Sequence, residues 1–170
     1  IAGDHGVVEE GVSAFPQQVT GQMVQNFLEG GAAINVLARH IGAKVIVVDC
    51  GVASYLKAHP LLKIKKIGLG TNNMAVGPAM SRDAAIQSIE AGIELIEEEL
   101  AEGIDIVGTG DMGIANTTPS SAILSVLGRM DVVSATGRGT GLDEESIQRK
   151  IHVIKKAIDV NQPNPNDAID

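Results

Sequence analysis

The sequence predicts an α/β fold, a Rossmann-like parallel sheet flanked by helices in three layers. Three observations carry this. Strand-type segments alternate with helix-type segments along the chain. The run Ala43-Lys-Val-Ile-Val-Val-Asp49 is almost continuously apolar, as strands covered on both faces are. Glycine-rich turns follow the strand-type segments, at the sheet edge where such folds bind ligands.

In chain order, Ile1-Ala2 reads as the end of a strand and opens into Gly3-Asp-His-Gly6. Residues Pro16–Leu28 and Ala32–His40 read as helices, with Gly30-Gly31 as the break between them. Ala43–Asp49 is the strongest strand, and Leu61–Ile67 alternates apolar residues with lysines, as an edge strand does. Over Arg82–Leu100, Ile86, Ile89, Ile93, Ile96 and Leu100 recur at steps of three and four. This spacing predicts an amphipathic helix whose glutamates, Glu90, Glu94 and Glu97–Glu99, form a solvated face.

Ile104–Val107 reads as a strand and Pro119–Leu127 as a helix, with Pro at its first position and Thr118 as N-cap. Asp131–Ala135 reads as a further strand, Gly137-Arg-Gly-Thr-Gly141 as a turn, and Asp143–Asn161 as a last helix. That helix turns Ile147, Ile151, Ile154 and Ile158 inward. Residues 1–170 are thus read as one α/β nucleotide-binding core. The start at Ile1 without Met, and the Asn/Pro-rich close, are expected to be cuts through a longer protein.

Composition narrows the function. With 170 residues, 44% apolar and 20% charged, the chain can bury a core. A net charge of −8, one Tyr, two Phe and no Trp argue against a nucleic-acid surface. The single cysteine, Cys50, excludes an internal disulfide and is read as buried filler. His5, His40, His59 and His152 lack metal-motif spacing, so neither a metal nor a cofactor is expected. No run approaches a membrane span and no signal peptide is apparent, so a cytoplasmic location is expected.

Four strand-end clusters, Gly3–Gly6, Asp49–Gly51, Gly108–Thr118 and Gly137–Gly141, converge on one edge, which predicts a ligand site there. In the loop Gly108-Thr-Gly-Asp-Met-Gly-Ile-Ala-Asn-Thr-Thr-Pro119, unpaired N–H groups at a helix start and the helix dipole can hold an anion without a lysine. Glycines at 108, 110 and 113 permit a close backbone approach. Gly108-x-Gly110-x-x-Gly113 also satisfies the dinucleotide fingerprint, with Asp131 near the ribose-acid position. An NAD-dependent oxidoreductase and a non-catalytic nucleotide-binding module therefore stand as alternatives. Asp4-His5 reads as a hydrogen-bonded turn pair at a strand end.

Four longer motifs go further. Ala2-Gly-Asp-His-Gly-Val-Val-Glu-Glu-Gly-Val-Ser-Ala-Phe-Pro-Gln-Gln-Val-Thr20, Asn73-Met-Ala-Val-Gly-Pro-Ala-Met-Ser-Arg82, Gly110–Pro119 and Asn161-Gln-Pro-Asn-Pro165 occur in order along the chain. Together they resemble the nicotinate-nucleotide:dimethylbenzimidazole phosphoribosyltransferases. The resemblance implies a homodimeric enzyme of cobalamin nucleotide-loop assembly that turns nicotinate mononucleotide and 5,6-dimethylbenzimidazole into α-ribazole 5′-phosphate and nicotinate. It also implies phosphate binding by Gly113, Ile114, Ala115, Asn116 and Thr117, with Thr140, Gly141 and Lys150. Pro16, Gln17, Thr20, Met23 and Met112 would line the benzimidazole site. Lys150 falls at the border of the isoleucine stripe of its helix, where its stem can pack while its amine reaches a strand-end site, although the residues alone read more simply as a solvated surface lysine. Asp111 stands where the family usually has glutamate, and is expected to be an assisting, buried carboxylate. The family's principal base lies in a late Leu-Gly-Glu-Gly motif that does not occur in these residues.

Overall fold

A computed structural model describes residues 1–170. Three parallel strands, β1 (Ala2–Gly3), β2 (Val47–Gly51) and β3 (Leu62–Ile64), lie side by side in that order. Val47 pairs with Leu62 and Asp49 with both Ala2 and Ile64, so β2 is the central strand and is buried along most of its length. Six helices surround the sheet: α1 (Val19–Leu28), α2 (Ala33–Ile41), α3 (Arg82–Glu102), α4 (Thr117–Leu127), α5 (Val132–Ala135) and α6 (Glu144–Asn161). The mixed α/β fold with a parallel, helix-flanked sheet is the one the alternation predicts. No helix is long and apolar enough to cross a membrane.

Two apolar clusters hold the elements together. Ala2, Val24, Leu28, Val47, Val52 and Leu62 join α1 to the sheet. Val7, Val12, Met74, Ala75, Ala115, Val153 and Ala157 join a 3₁₀ turn at Gly6–Glu10 to α6. The second cluster seats the middle of the glycine-rich loop directly against the helix that carries Lys150.

The long helices form where their caps and periodicity place them. Ser81 Oγ accepts from the N–H of Ala84 at the start of α3, and Asp143 Oδ1 from that of Ser146 at the start of α6. Ile151 and Ile154 are buried on α6 as expected. In α2 the buried Asn35 closes the first turn from inside, accepting from Ala32 N and donating to Phe27 O. On α3 the buried face is Ala91, Leu95 and Glu99, whereas Ile89, Ile93 and Leu100 are exposed. The acidic face is solvated at Glu90, Glu94, Glu97 and Glu98, with Glu94 and Glu98 meeting Lys65 and Lys63, but Glu99, expected on that face, is buried and meets Lys44.

Several boundaries differ from the sequence expectation. Ile104–Val107 is not a strand, and Ile106 is 90% exposed. The free edge of β1 offers only Ile1 to Gly3, which bind residues 110–112: Met112 N donates to Ile1 O at 2.8 Å and Gly3 N to Met112 O at 3.1 Å. β-propensity without a neighbour makes no strand. The same rule starts β2 at Val47 rather than Ala43, because pairing partners exist only from there. Asp131–Ala135 is a single helical turn, since Asp131 Oδ2 accepts from Ser134 N and caps it locally. The first helix starts at Val19 rather than Pro16. The fourth starts at Thr117, so Thr118 lies inside its first turn instead of capping it.

Candidate active site

The site is built where the glycine-rich loop passes β1 and enters α4. Gly113 is the one glycine of the 108–113 trio with a steric need, because a Cβ there would lie 2.1 Å from Gly3 O and 3.0 Å from the His5 ring. Added Cβ atoms at Gly108 and Gly110 would meet nothing within 4 Å, and both residues are exposed. Ile114 N donates to the fully buried Thr20 hydroxyl at 3.0 Å, which pins the loop to α1. Ala115 then takes φ 71°, a left-handed conformation that L-residues resist, while its methyl sits in the core beside α6. Strain of this kind persists where packing over-determines it.

That turn leaves backbone donors free. Asn116 N and Thr118 N close local turns, but the N–H groups of Ala115 and Thr117 donate to nothing within the chain. They lie in and beside the first turn of an eleven-residue helix. Partial positive charge therefore collects at the loop.

Lys150 completes the arrangement. It is 1% exposed, and its Nζ donates to Thr117 Oγ1 at 2.6 Å and to Gly137 O at 3.4 Å, with no carboxylate as partner. Burial pushes its ammonium below the usual lysine range. Gly139 covers the pair at φ 53°: a Cβ there would stand 2.9 Å from Thr117 Oγ1 and 3.2 Å from Lys150 Nζ. A buried cation without a counter-ion, a hydroxyl and two free N–H groups are the donor types with which a cradle can hold an anion.

The remaining expected residues divide. Asn116 does not turn its side chain to the cradle; its Nδ2 donates to Asp111 Oδ2 at 2.8 Å. Asp111 itself is exposed rather than buried, because the 103–111 segment has no element packed over it. Thr140 Oγ1 accepts from Ala14 N, tying the 137–141 turn to the loop before α1, and Gly141 supplies a left-handed turn at φ 88°. Thr20 is used by Ile114, and Met112 packs on the β1–α1 core. Pro16 is exposed, Gln17 and Met23 are half-buried, and none of the three side chains hydrogen-bonds to the loop.

Sequence reasoning missed Gly139, and read Asp4 as half of a local turn pair where its carboxylate instead holds a distant backbone N–H. Gly139 lay inside a turn already noticed, and its positive φ could not be read without the fold. Asp4 is 3% exposed; Oδ2 accepts from Ala53 N at 2.8 Å and Oδ1 has no partner. Beside it, burial pushes the His5 imidazole down against the opposing pull of the Asp111 and Asp4 carboxylates. Cys50 is half-buried, not fully enclosed.

The dinucleotide reading is not favoured by this geometry. Its fingerprint needs a strand leading in and a helix opening inside the motif, whereas residues 104–107 are unpaired and Asp131 caps α5.

A phosphoribosyltransferase family model, DBI_PRT, matches residues 1–170. The chain belongs to that family. It is 55% identical over 170 residues to the nicotinate-nucleotide–dimethylbenzimidazole phosphoribosyltransferase of Chloroflexus aggregans, and 57% identical to that of Desulforudis audaxviator. In each case all of this chain aligns with 48% of the relative. The crystal structure of CobT from Thermus thermophilus superposes with a TM-score of 0.93 at 44% identity, covering 98% of this chain and 49% of that one. The chain thus spans about half the length of the curated relatives it matches.

Proposed function

We propose that a protein containing this chain transfers phosphoribose from nicotinate mononucleotide to 5,6-dimethylbenzimidazole, giving α-ribazole 5′-phosphate and nicotinate. Residues 1–170 act in this reading as its nucleotide-binding core, working as a homodimer in the cytoplasm. The observation that carries the reading is Lys150, a buried ammonium held by Thr117 and lacking any carboxylate. A phosphate monoester supplies the missing charge and the acceptors for the N–H groups of Ala115 and Thr117.

The chemistry needs such an anchor more than it needs an acid. The glycosidic bond to a pyridinium nitrogen is already activated, because cleavage releases a neutral ring nitrogen. What remains is to hold C1′ while the ring nitrogen of the incoming base attacks from the opposite face, and to remove that base's N–H proton. Gly113, Ile114, Ala115, Asn116 and Thr117 form the loop, Lys150 the cation, and Thr140 and Gly141 the turn that roofs it. Asp111, oriented by Asn116, is an assisting carboxylate at the loop mouth. Pro16, Gln17 and Met23 are the open part of the base-binding side, with Thr20 and Met112 as its support.

Calorimetric titration with nicotinate mononucleotide tests the reading, with NAD and Lys150→Ala as controls. The expected result is selective mononucleotide binding, weakened at least about tenfold in the variant, the equivalent of one charge-assisted hydrogen bond. Preference for NAD, or no binding by the folded chain, would overturn it.

A further inference from the structure

Lys150 poses a difficulty for any anion site built around it: at 1% exposure, its ammonium has no open route to solvent. What stands in the way is thin. The turn Gly137–Gly141 lies over the amine, and all five of its residues are exposed, so one layer of chain separates the cation from water. Gly139 is the point of closest approach, where a Cβ would stand 3.2 Å from Lys150 Nζ. The turn is closed on itself and lightly attached to its surroundings. Gly141 N and Leu142 N both donate to Arg138 O, and Arg138 Nη1 returns to Leu142 O. Its bonds to the rest of the fold are long or on the surface: Lys150 Nζ donates to Gly137 O at 3.4 Å, Ala14 N to Thr140 Oγ1 at 3.2 Å, and Arg138 meets Glu144 in an exposed pair. The two ends are fixed, since Thr136 Oγ1 donates to Val132 O at 2.6 Å and Leu142 is buried. Between these anchors Gly139 and Gly141 hold φ of 53° and 88°, and nothing lies within 4 Å of a Cβ built on Gly137 or Gly141. The segment therefore has firm ends, glycine backbone freedom between them and open space to swing into.

We propose that residues 137–141 are a lid over Lys150, opening to admit the phosphate group and folding back over it. It rests on the phosphate-binding reading above. Opening gives up the long contacts to Gly137 O and Thr140 Oγ1 and lets water reach the ammonium, which offsets part of their loss. A phosphate that enters then supplies acceptors to Nζ and to the N–H groups of Ala115 and Thr117, and the turn closes on the filled site.

Locking the turn shut tests this. Ala14→Cys with Thr140→Cys, in a Cys50→Ser background, puts thiols where the Ala14–Thr140 bond now ties the lid down, and their disulfide holds it closed. In calorimetry the oxidised variant is expected to bind inorganic phosphate at least about tenfold more weakly than the same sample after reduction. Equal affinity in the two redox states would overturn the lid. The parent chain gives a second reading that no substitution disturbs. Without phosphate, the amides of residues 137–141 are expected to show microsecond-to-millisecond exchange in ¹⁵N relaxation dispersion, which phosphate suppresses, while those of α4 and α6 show none. Flat dispersion at 137–141 in a parent chain that binds phosphate would overturn the lid and leave the transferase reading standing. A parent chain that never binds phosphate would overturn that reading and this proposal together.

Discussion

Asp49 and Lys150 are both 1% exposed, yet the fold treats them in opposite ways. Asp49, on the central strand, is closed: Oδ1 accepts from Gly51 N at 3.1 Å and Val52 N at 2.8 Å, and Oδ2 meets Lys66 Nζ at 3.1 Å. Lys150, on α6, has a hydroxyl and a distant carbonyl and no carboxylate. A buried charge whose every capacity is met belongs to the scaffold. One left short of a counter-ion is an unfavourable arrangement that a ligand of opposite charge relieves.

Breaking the closed site should have the largest effect. Asp49→Ala leaves two N–H groups without their acceptor and the Lys66 ammonium without its counter-ion, held only by Val52 O, and is expected to cost about 3 kcal/mol or more in urea unfolding. A loss below about 1 kcal/mol would show that the network around Asp49 contributes little.

Breaking the open site should act in the other direction. Lys150→Met removes a buried unpaired charge at similar length, so the ligand-free chain is expected to gain about 1 to 2 kcal/mol while losing phosphate affinity. Calorimetric melting with and without inorganic phosphate separates the two effects. A variant less stable than the parent would mean that Lys150 serves the fold after all.

A smaller change sharpens the comparison at the roof of the cradle. Gly139→Ala places a methyl 2.9 Å from Thr117 Oγ1 at a positive φ, for a loss of about 1 kcal/mol in stability and weaker phosphate binding. Gly108→Ala, in open space, should change neither.

The smallest effect is a pH dependence. His5 has its folded-state value below that of the unfolded chain, so the unfolded state takes up its proton first as the solution is acidified. Stability is therefore expected to fall as the pH drops below about 6.5, and His5→Gln should flatten that limb of the denaturation-midpoint profile. An unchanged slope in the variant would place the acid sensitivity elsewhere.

Much of this was legible beforehand because it is local. The capped helices at 82–102 and 144–161, the apolar central strand and the glycine-rich entry to α4 follow from periodicity, side-chain capping and turn chemistry within a few residues. Residues 104–107 and 131–135 misled for the same reason, since their composition favours strand and only a missing neighbour or a local aspartate cap decides otherwise. Lys150 shows the limit most clearly. Its place at the edge of an isoleucine stripe was readable, but the residues alone favoured a solvated surface lysine, and the packing of α6 buries it instead.

The sequence by itself determined the α/β class and the order of the long helices, because propensity and spacing act over one or two turns. Only the tertiary structure decided that Lys150 has no carboxylate beside it, that Asn116 serves Asp111, that Gly139 roofs Thr117, and that His5 lies on Gly113. Those pairs are separated by 5 to 108 positions in the chain, and distances of that kind are set by how the helices pack on the sheet rather than by any residue's own preference.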